Sequence, residues 1–410
     1  MRFSGFDDEW KSFKLSEISK RITRKNKSLE TDRPLTISAQ YGLVDQIEYF
    51  NKIVASKSLK GYYLLNKGEF AYNKSYSNGY PFGAVKRLDD YENGAISTLY
   101  ICFNTNDKMN SDLLKEYFET DKWHEEIYKI AVEGARNHGL LNVAVGDFFN
   151  TKHVLPTNNH EQEKIAKFLI EINTKIDLLE NKHKAYQDFK KYLMQKIFAQ
   201  ELRFADCTGE WNLFKLGDIV ELMRNGCSEN QVSFETEFPV TRIETISKGI
   251  LNFDKVGYVE KIDSSYLLQY GDILLSNINS LKYIGNCVFF DEDKPLYHGM
   301  NLMLMRFKDD FNKKYLFYYM KFYQQWFQKM ACQAVNQASI NQSSLKKFPF
   351  YIPPTIDEQN KIVNVIDDTE HKINSIEDQI IKMEEFKKGL LQQMFVVQLI
   401  LSLLQNKKHI

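Results

Sequence analysis

Two stretches of this chain place an apolar residue at alternating steps of four and three. In the first, Ile165, Leu169, Ile172, Ile176 and Leu179 are followed by Tyr186, Leu193 and Ile197. In the second, Ile362, Ile366, Ile373, Ile376, Ile380, Met383, Leu390 and Met394 keep the same register. Lys, Glu, Asp, Gln and Asn fill the positions between, so each stretch carries the narrow seam of a coiled-coil helix. Neither contains an internal proline, and each opens after a proline-bearing segment ending in Asn159-His160-Glu161 or Ile356-Asp357-Glu358, which predicts two helices of roughly 40 residues, about 60 Å long. Water cannot satisfy such a seam, and the simplest long partner for each helix is the other. A pseudo-twofold axis between them makes the pair antiparallel and puts one globular unit at each end, with the helices as spacer. Lys190 and Lys387 fall on the seam in the two copies. A register-fixing role accounts for them, and so does fraying or snorkelling near a helix end. His183 also falls on the seam and reads as a core-edge histidine, not a ligand.

The two helices belong to a longer repeat. Pro156 to Phe198 aligns without a gap on Pro353 to Phe395, with 14 identities in 43 positions. Upstream, Trp10-x-x-Phe13-Lys14-Leu15 returns as Trp211-x-x-Phe214-Lys215-Leu216, and Tyr63-Leu64-Leu65-x-x-Gly68-Glu69 as Tyr266-Leu267-Leu268-x-x-Gly271-Asp272. Between these landmarks the halves have diverged. Each globular half opens with short β-branched and aromatic runs separated by Gly, Asn and Asp turns, such as Pro34 to Ser38, Ala95 to Phe103 and Gly285 to Phe290. Helical, aromatic-rich stretches follow at Leu113 to Ala131 and Tyr315 to Cys332. The expected fold is mixed α/β (α+β) with a pseudo-twofold internal repeat. Its parts are a globular domain over 1–155, a spacer helix over 156–200, a second domain over 201–352, a second helix over 353–398 and a tail over 399–410.

Composition narrows the chemistry. The 54 Lys+Arg balance 54 Asp+Glu, which argues against a non-specific nucleic-acid coat held by counterion release but leaves room for a localised basic surface. The five cysteines are scattered, odd in number and lack C-x-x-C spacing, so neither a zinc site nor a disulfide framework is expected. The apolar run Val396 to Leu404 is far shorter than the ~20 residues that span a bilayer, and the chain reads as soluble, cytoplasmic and free of membrane contact. The sharpest charge signal is Lys20, Arg21, Arg24, Lys25 and Lys27, five cations in eight residues. A solvated loop is the ordinary account of such a run. In a duplicated protein with a spacer, the same loop suits phosphate contact. Lys74, Arg136-Asn137, Arg242 and Asn336-Gln337 are further polar or basic loop candidates for DNA contact, because Arg, Asn and Gln read base edges bidentately.

No phosphate-binding loop, dinucleotide fingerprint, Asn/Asp-Pro-Pro-Tyr/Phe quartet or H-E-x-x-H is present in the sequence, and Glu385-Phe386-Lys387, a minimal E-x-K, lies on the heptad helix. No catalytic residue, metal ligand or cofactor site is therefore assigned to this chain.

The paired Trp-x-x-Phe-Lys-Leu openings, the Pro…Glu-Gln-x-x-Ile helix starts at Pro156 and Pro353, and the Lys-Lys-x-Leu-x-Gln helix ends at Lys190 and Lys387 resemble the specificity subunit (HsdS) of type I restriction-modification enzymes. The likeness runs over essentially the whole chain. It implies two target-recognition domains, each reading one half of a split, asymmetric site in double-stranded DNA, with the helices as a ruler. It also implies two modification (methyltransferase) subunits carrying S-adenosylmethionine, and restriction subunits whose ATP- and Mg-dependent translocation precedes cleavage. All those cofactors belong to partners. A duplicated coiled-coil interaction scaffold without DNA binding is the competing reading, favoured by the zero net charge.

Overall fold

The computed structural model describes residues 2–52, 55–56, 58–77, 79–131, 141–247, 249–333 and 337–406, with side chains up to 395 in the last helix. The chain divides into two units, residues 1–180 with 378–410 and residues 181–377. Each unit holds one globular domain, half of the first long helix and the opposite half of the second. The boundary thus falls inside both helices and not at their ends.

The repeated Trp-x-x-Phe-Lys-Leu motif closes each globular domain on itself. In the first unit it forms the strand Lys11–Lys14, which pairs antiparallel with Lys152–Leu155 at the far end of the domain. In the second, Asn212–Lys215 pairs with Pro349–Ile352 in the same way. A single helical turn follows, Leu15–Ile18 or Leu216–Ile219, and buries its first and last residues. The chain then enters a four-stranded antiparallel sheet. Its order in the first unit is Ser19–Ile22, Ile101–Thr105, Phe70–Asn73, Ala84–Arg87, and in the second Val220–Asn225, Met303–Phe307, Ile273–Leu275, Cys287–Phe289. The identical order in sequences that have diverged shows that the duplication extends through the domain cores. Helices Ser111–Tyr117 and Lys313–Phe322 cover these sheets, each capped by an asparagine, Asn110 or Asn312, whose side chain accepts from two first-turn amides.

Outside that shared framework the units differ. The first adds a mixed four-stranded sheet of Gly42–Asp45, Pro34–Ser38, Asn93–Ile96 and Tyr63–Asn66. The second adds two small three-stranded sheets, one of Gln231–Val232, Gly257–Val259 and Pro239–Val240 and one of Ile278–Asn279, Ala338–Ser339 and Cys332–Gln333. The expected run Ala95 to Phe103 is in fact two strands in different sheets. Ser97 breaks it, its carbonyl accepting from the Tyr100 amide and its hydroxyl from the Leu99 amide.

The long helices are Asn159–Phe198 and Ile356–Asn406. No proline or glycine lies between Val396 and Asn406, so the helix continues through residues expected to form a tail from 399. In the first unit Ile165, Leu169 and Ile172 share a core with Leu390, Leu391, Met394 and Phe395; in the second, Leu193, Met194 and Ile197 share one with Ile362, Val363 and Ile366. The start of one helix meets the end of the other in both, which is antiparallel pairing. Ile165, Leu169, Ile362, Ile366, Ile376 and Met394 are almost fully buried; Ile176 and Ile380 are half-buried. Leu179, Leu193, Ile197, Ile373 and Leu390 complete the buried seam.

Two features explain the repeated polar residues. Each helix starts with a buried glutamate held by an arginine and a tryptophan. Glu161 accepts from Arg2 Nε at 2.6 Å, Arg2 Nη2 at 2.8 Å and Trp10 Nε1 at 3.3 Å. Glu358 accepts from Arg203 Nε at 2.7 Å, Arg203 Nη2 at 2.8 Å and Trp211 Nε1 at 3.1 Å. The next residue ties the helix start to the domain: Gln162 Oε1 accepts from the Asn110 amide at 2.7 Å, and Gln359 Oε1 from the Asn312 amide at 2.9 Å. The seam lysines are both ion-paired. Lys190 Nζ lies 2.9 Å from Glu370 on the partner helix, whereas Lys387 Nζ lies 3.4 Å from Glu116 in the globular domain. Burial pushes the Lys190 ammonium below its usual value although Glu370 opposes the shift. Neither lysine is frayed, so fraying is excluded for both.

Candidate nucleic-acid interface

The basic run forms the edge strand Ser19–Ile22 and the turn after it, not the loop the sequence suggested. Lys20 and Arg21 are exposed on that strand and Lys27 is exposed beyond it. Arg24 is committed within the domain, donating to Glu69 Oε2 at 2.7 Å and to the Leu64 carbonyl at 3.1 Å. Lys25 donates to the Gly61 carbonyl at 2.9 Å with its ammonium 4.0 Å from the Tyr63 ring centre. The five cations are therefore divided: Lys20, Arg21 and Lys27 keep their charge open to solvent, while Arg24 and Lys25 hold the Tyr63–Asn66 strand in place.

Lys74 is half-buried, and its carbonyl accepts from the Leu141 amide at 2.9 Å. Arg136, Asn137 and Asn336 lie outside the described residues. Gln337 is exposed. Arg242 is exposed at the start of the turn Ile243–Thr245, where its Nε stands 3.6 Å from Glu244 in a solvent-exposed ion pair. No described contact joins the candidates into one constellation.

Several framework and surface residues stand out in the structure beyond those singled out in the sequence. The Arg-Phe pair at Arg2-Phe3 returns at Arg203-Phe204 with the same offset as the tryptophans, a signal that was available. Arg306 forms a bidentate pair with buried Asp272 at 2.7 and 2.8 Å, which no local pattern announces. On the first domain Tyr41, Tyr49 and Phe50 make an exposed aromatic group, with ring centres 6.4 and 5.0 Å apart, beside exposed Gln40 at the Ser38–Gly42 hairpin. Aromatic faces and amide side chains at a loop tip are suited to base contact. Among the described residues no group of three or more His, Cys, Asp or Glu is placed to hold a metal, and no helix is long and apolar enough to cross a membrane.

The family model described as Type I restriction modification DNA specificity domain matches residues 208–385, the second globular domain with its flanking helix. Residues 208–385 therefore carry a type I restriction-modification specificity domain. The chain is 39% identical over 195 residues to the "Putative type I restriction enzyme MjaX specificity subunit" of Methanocaldococcus jannaschii, an alignment that spans 45% of this chain and 45% of that curated relative. Among solved structures, the S subunit of a type I restriction-modification system from M. genitalium matches with a TM-score of 0.55 and 14% identity, over 96% of this chain and 98% of that one. A chain solved in work on complex assembly and conformational transition of the type I R-M system matches with a TM-score of 0.57 and 16% identity, over 96% and 99%. The structural matches establish the specificity-subunit fold.

Proposed function

We propose that this chain is a specificity subunit that reads a bipartite, asymmetric site in double-stranded DNA and holds two modification subunits, itself contributing no catalytic group. The observation that carries the reading is the contrast inside the repeat. The Arg–Glu–Trp clamp, the Gln tether and the four-stranded sheet are built twice, whereas the additional sheets differ in strand number and pairing. A constant frame with two unlike outer surfaces suits two readers of unlike sequences. Lys20, Arg21, Lys27 and Arg242 supply phosphate contacts that set register, and exposed residues such as Gln40, Tyr41 and Gln337 supply candidates for base contact.

The partner side of the proposal rests on Phe189 and Phe386. They occupy the same position in the two helix copies and each is about half exposed, at 48% and 52%. A large apolar side chain left in water twice, at equivalent points of a repeat, suits two copies of one partner. S-adenosylmethionine, ATP and Mg belong to partner subunits in this reading. The test of the bipartite site is a matched insertion or deletion of one heptad in both helices. The account expects the same two half-sites with an altered gap; an unchanged gap refutes the ruler role.

A further inference from the structure

Each unit contains a groove lined by the end of one long helix, the facing stretch of the other and the helical part of its globular domain. The first-unit groove has a volume of about 990 Å³ and the second-unit groove about 1020 Å³. They are the same site in the repeat: Lys387-Lys388 line one and Lys190-Lys191 the other. Their chemistry has nevertheless separated. Asp177 and Glu384 in the first stand where the second has Asn374 and Gln187. Counted from the caps Asn110 and Asn312, Glu119, Thr120 and Asp121 correspond to Lys321, Phe322 and Tyr323. The first groove therefore presents four carboxylates against three lysines, and the second four lysines against the single carboxylate of Glu370.

Glu370 cannot neutralise its surroundings. It is held by Lys190 at 2.9 Å and by the Tyr318 hydroxyl at 2.9 Å, with Lys321 4.0 Å away, while Lys191 and Lys329 have no ion pair among the described residues. Half-buried Phe322, Tyr323 and Trp326 complete the apolar wall beside buried Met194 and Ile373.

We infer that the second-unit groove docks one acidic amphipathic helix of a partner protein and that its first-unit counterpart does not. Charge complementarity selects an anionic ligand. The apolar wall selects a peptide over duplex DNA, because phosphate contact alone leaves those rings wet. A single strand would need free ring faces to stack upon. Here Tyr323 is engaged with Tyr319 at 4.6 Å and Trp326 with Phe348 at 4.9 Å between ring centres. A helix laid between two helices satisfies both walls at once, apolar residues inward and carboxylates toward Lys191, Lys321 and Lys329. This inference is independent of which DNA the globular domains read.

The probe is a synthetic helical peptide of about 18 residues with Leu at i, i+3, i+4 and i+7 and Glu on the flanks, titrated into the full chain by calorimetry. Its twin carries Lys for Glu. One site is expected for the acidic peptide and none for the twin. The combined Lys191→Glu, Lys321→Glu and Lys329→Glu variant is expected to lose on the order of tenfold or more in affinity. Glu119→Lys with Asp121→Tyr, Asp177→Asn and Glu384→Gln is expected to create a second site. Circular-dichroism melts verify each variant; if the triple reversal does not fold, Lys329→Glu alone and photo-crosslinking of the peptide to the Trp326 segment decide. No binding to the unaltered chain, two equal sites, or indifference to charge reversal overturns the inference. So does duplex DNA that binds in the groove and is lost on reversal while the peptide is not.

Discussion

Replacing Arg203 with methionine tests whether the repeated clamp holds the helix starts. The Glu358 carboxylate is fully buried, and its charge is met by two bonds from the Arg203 guanidinium and one from the Trp211 indole. Arg203 also donates to the Gly209 carbonyl at 2.5 Å and the Thr208 carbonyl at 3.1 Å, so it joins the linker to the helix. Methionine keeps much of the apolar stem but leaves a buried anion facing an apolar pocket of Leu202, Phe204, Ile362 and Val365. Breaking one partner of a buried pair costs roughly 3–5 kcal/mol. Arg203 is 28% exposed, so water reaches the vacated position and the lower end, about 3 kcal/mol, is expected. For a unit of this size that is roughly 6–12 °C in the melting transition. Adding Glu358→Leu removes the orphaned charge and should return most of the loss, since replacing a whole buried pair with apolar residues is often near neutral. Calorimetric melting of the full chain, with Arg2→Met as the matched change in the other unit, measures both. A loss under about 1 kcal/mol, or a double variant whose losses simply add, refutes the clamp.

Other consequences are accessible to simpler assays. His153, between the Tyr117 hydroxyl at 3.0 Å and the Thr151 hydroxyl at 2.8 Å, and His298, whose Nε2 meets the Leu302 carbonyl at 3.0 Å, are both pushed by burial to about 4. Both stay neutral when folded and protonate in the unfolded chain below about 6.5, so their contribution is complete above that pH and is lost as pH falls toward 4. Urea melts should show a decline of about 3 kcal/mol per histidine across that window, and a flat profile contradicts it. A maleimide should label exposed Cys332 and half-buried Cys207 in the native chain, while Cys102 and Cys287, whose thiols burial pushes up to about 12, and buried Cys227 react only on unfolding. Phe189→Ala and Phe386→Ala should each leave stability within about 0.5 kcal/mol yet weaken co-purification of a modification subunit, and unaltered co-purification would remove these residues from the interface.

The parts legible in the sequence were those written in local periodicity. The 4-3 spacing of Ile165, Leu169, Ile172 and Ile176 announces its helix without any knowledge of what it packs on, and the repeated copy supplies the partner. The repeated Glu-Gln could be seen but not interpreted, because Glu161 meets Arg2 and Trp10 across more than a hundred residues. The same distance effect misled the reading of the basic run. Five adjacent cations look equivalent until Glu69 and the Gly61 carbonyl, supplied by later loops on either side of the strand Tyr63–Asn66, take up Arg24 and Lys25. Lys190 and Lys387 show the limit most clearly. Equivalent in sequence, they find their carboxylates on different elements, one on the opposing helix and one on the globular domain. The candidate DNA contacts remained scattered for a related reason: exposed polar residues gain their meaning from a ligand that lies outside the chain.

The central claim is that this chain directs modification to a bipartite DNA site. The measurement that tests it most directly is a map of modified adenines across the genome in cells with the chain, without it, and complemented with a variant whose 208–352 segment comes from another family member. The account predicts that modification at one bipartite motif disappears without the chain and that the variant restores it with only one half-motif changed. Modification unchanged by removal of the chain would contradict the claim.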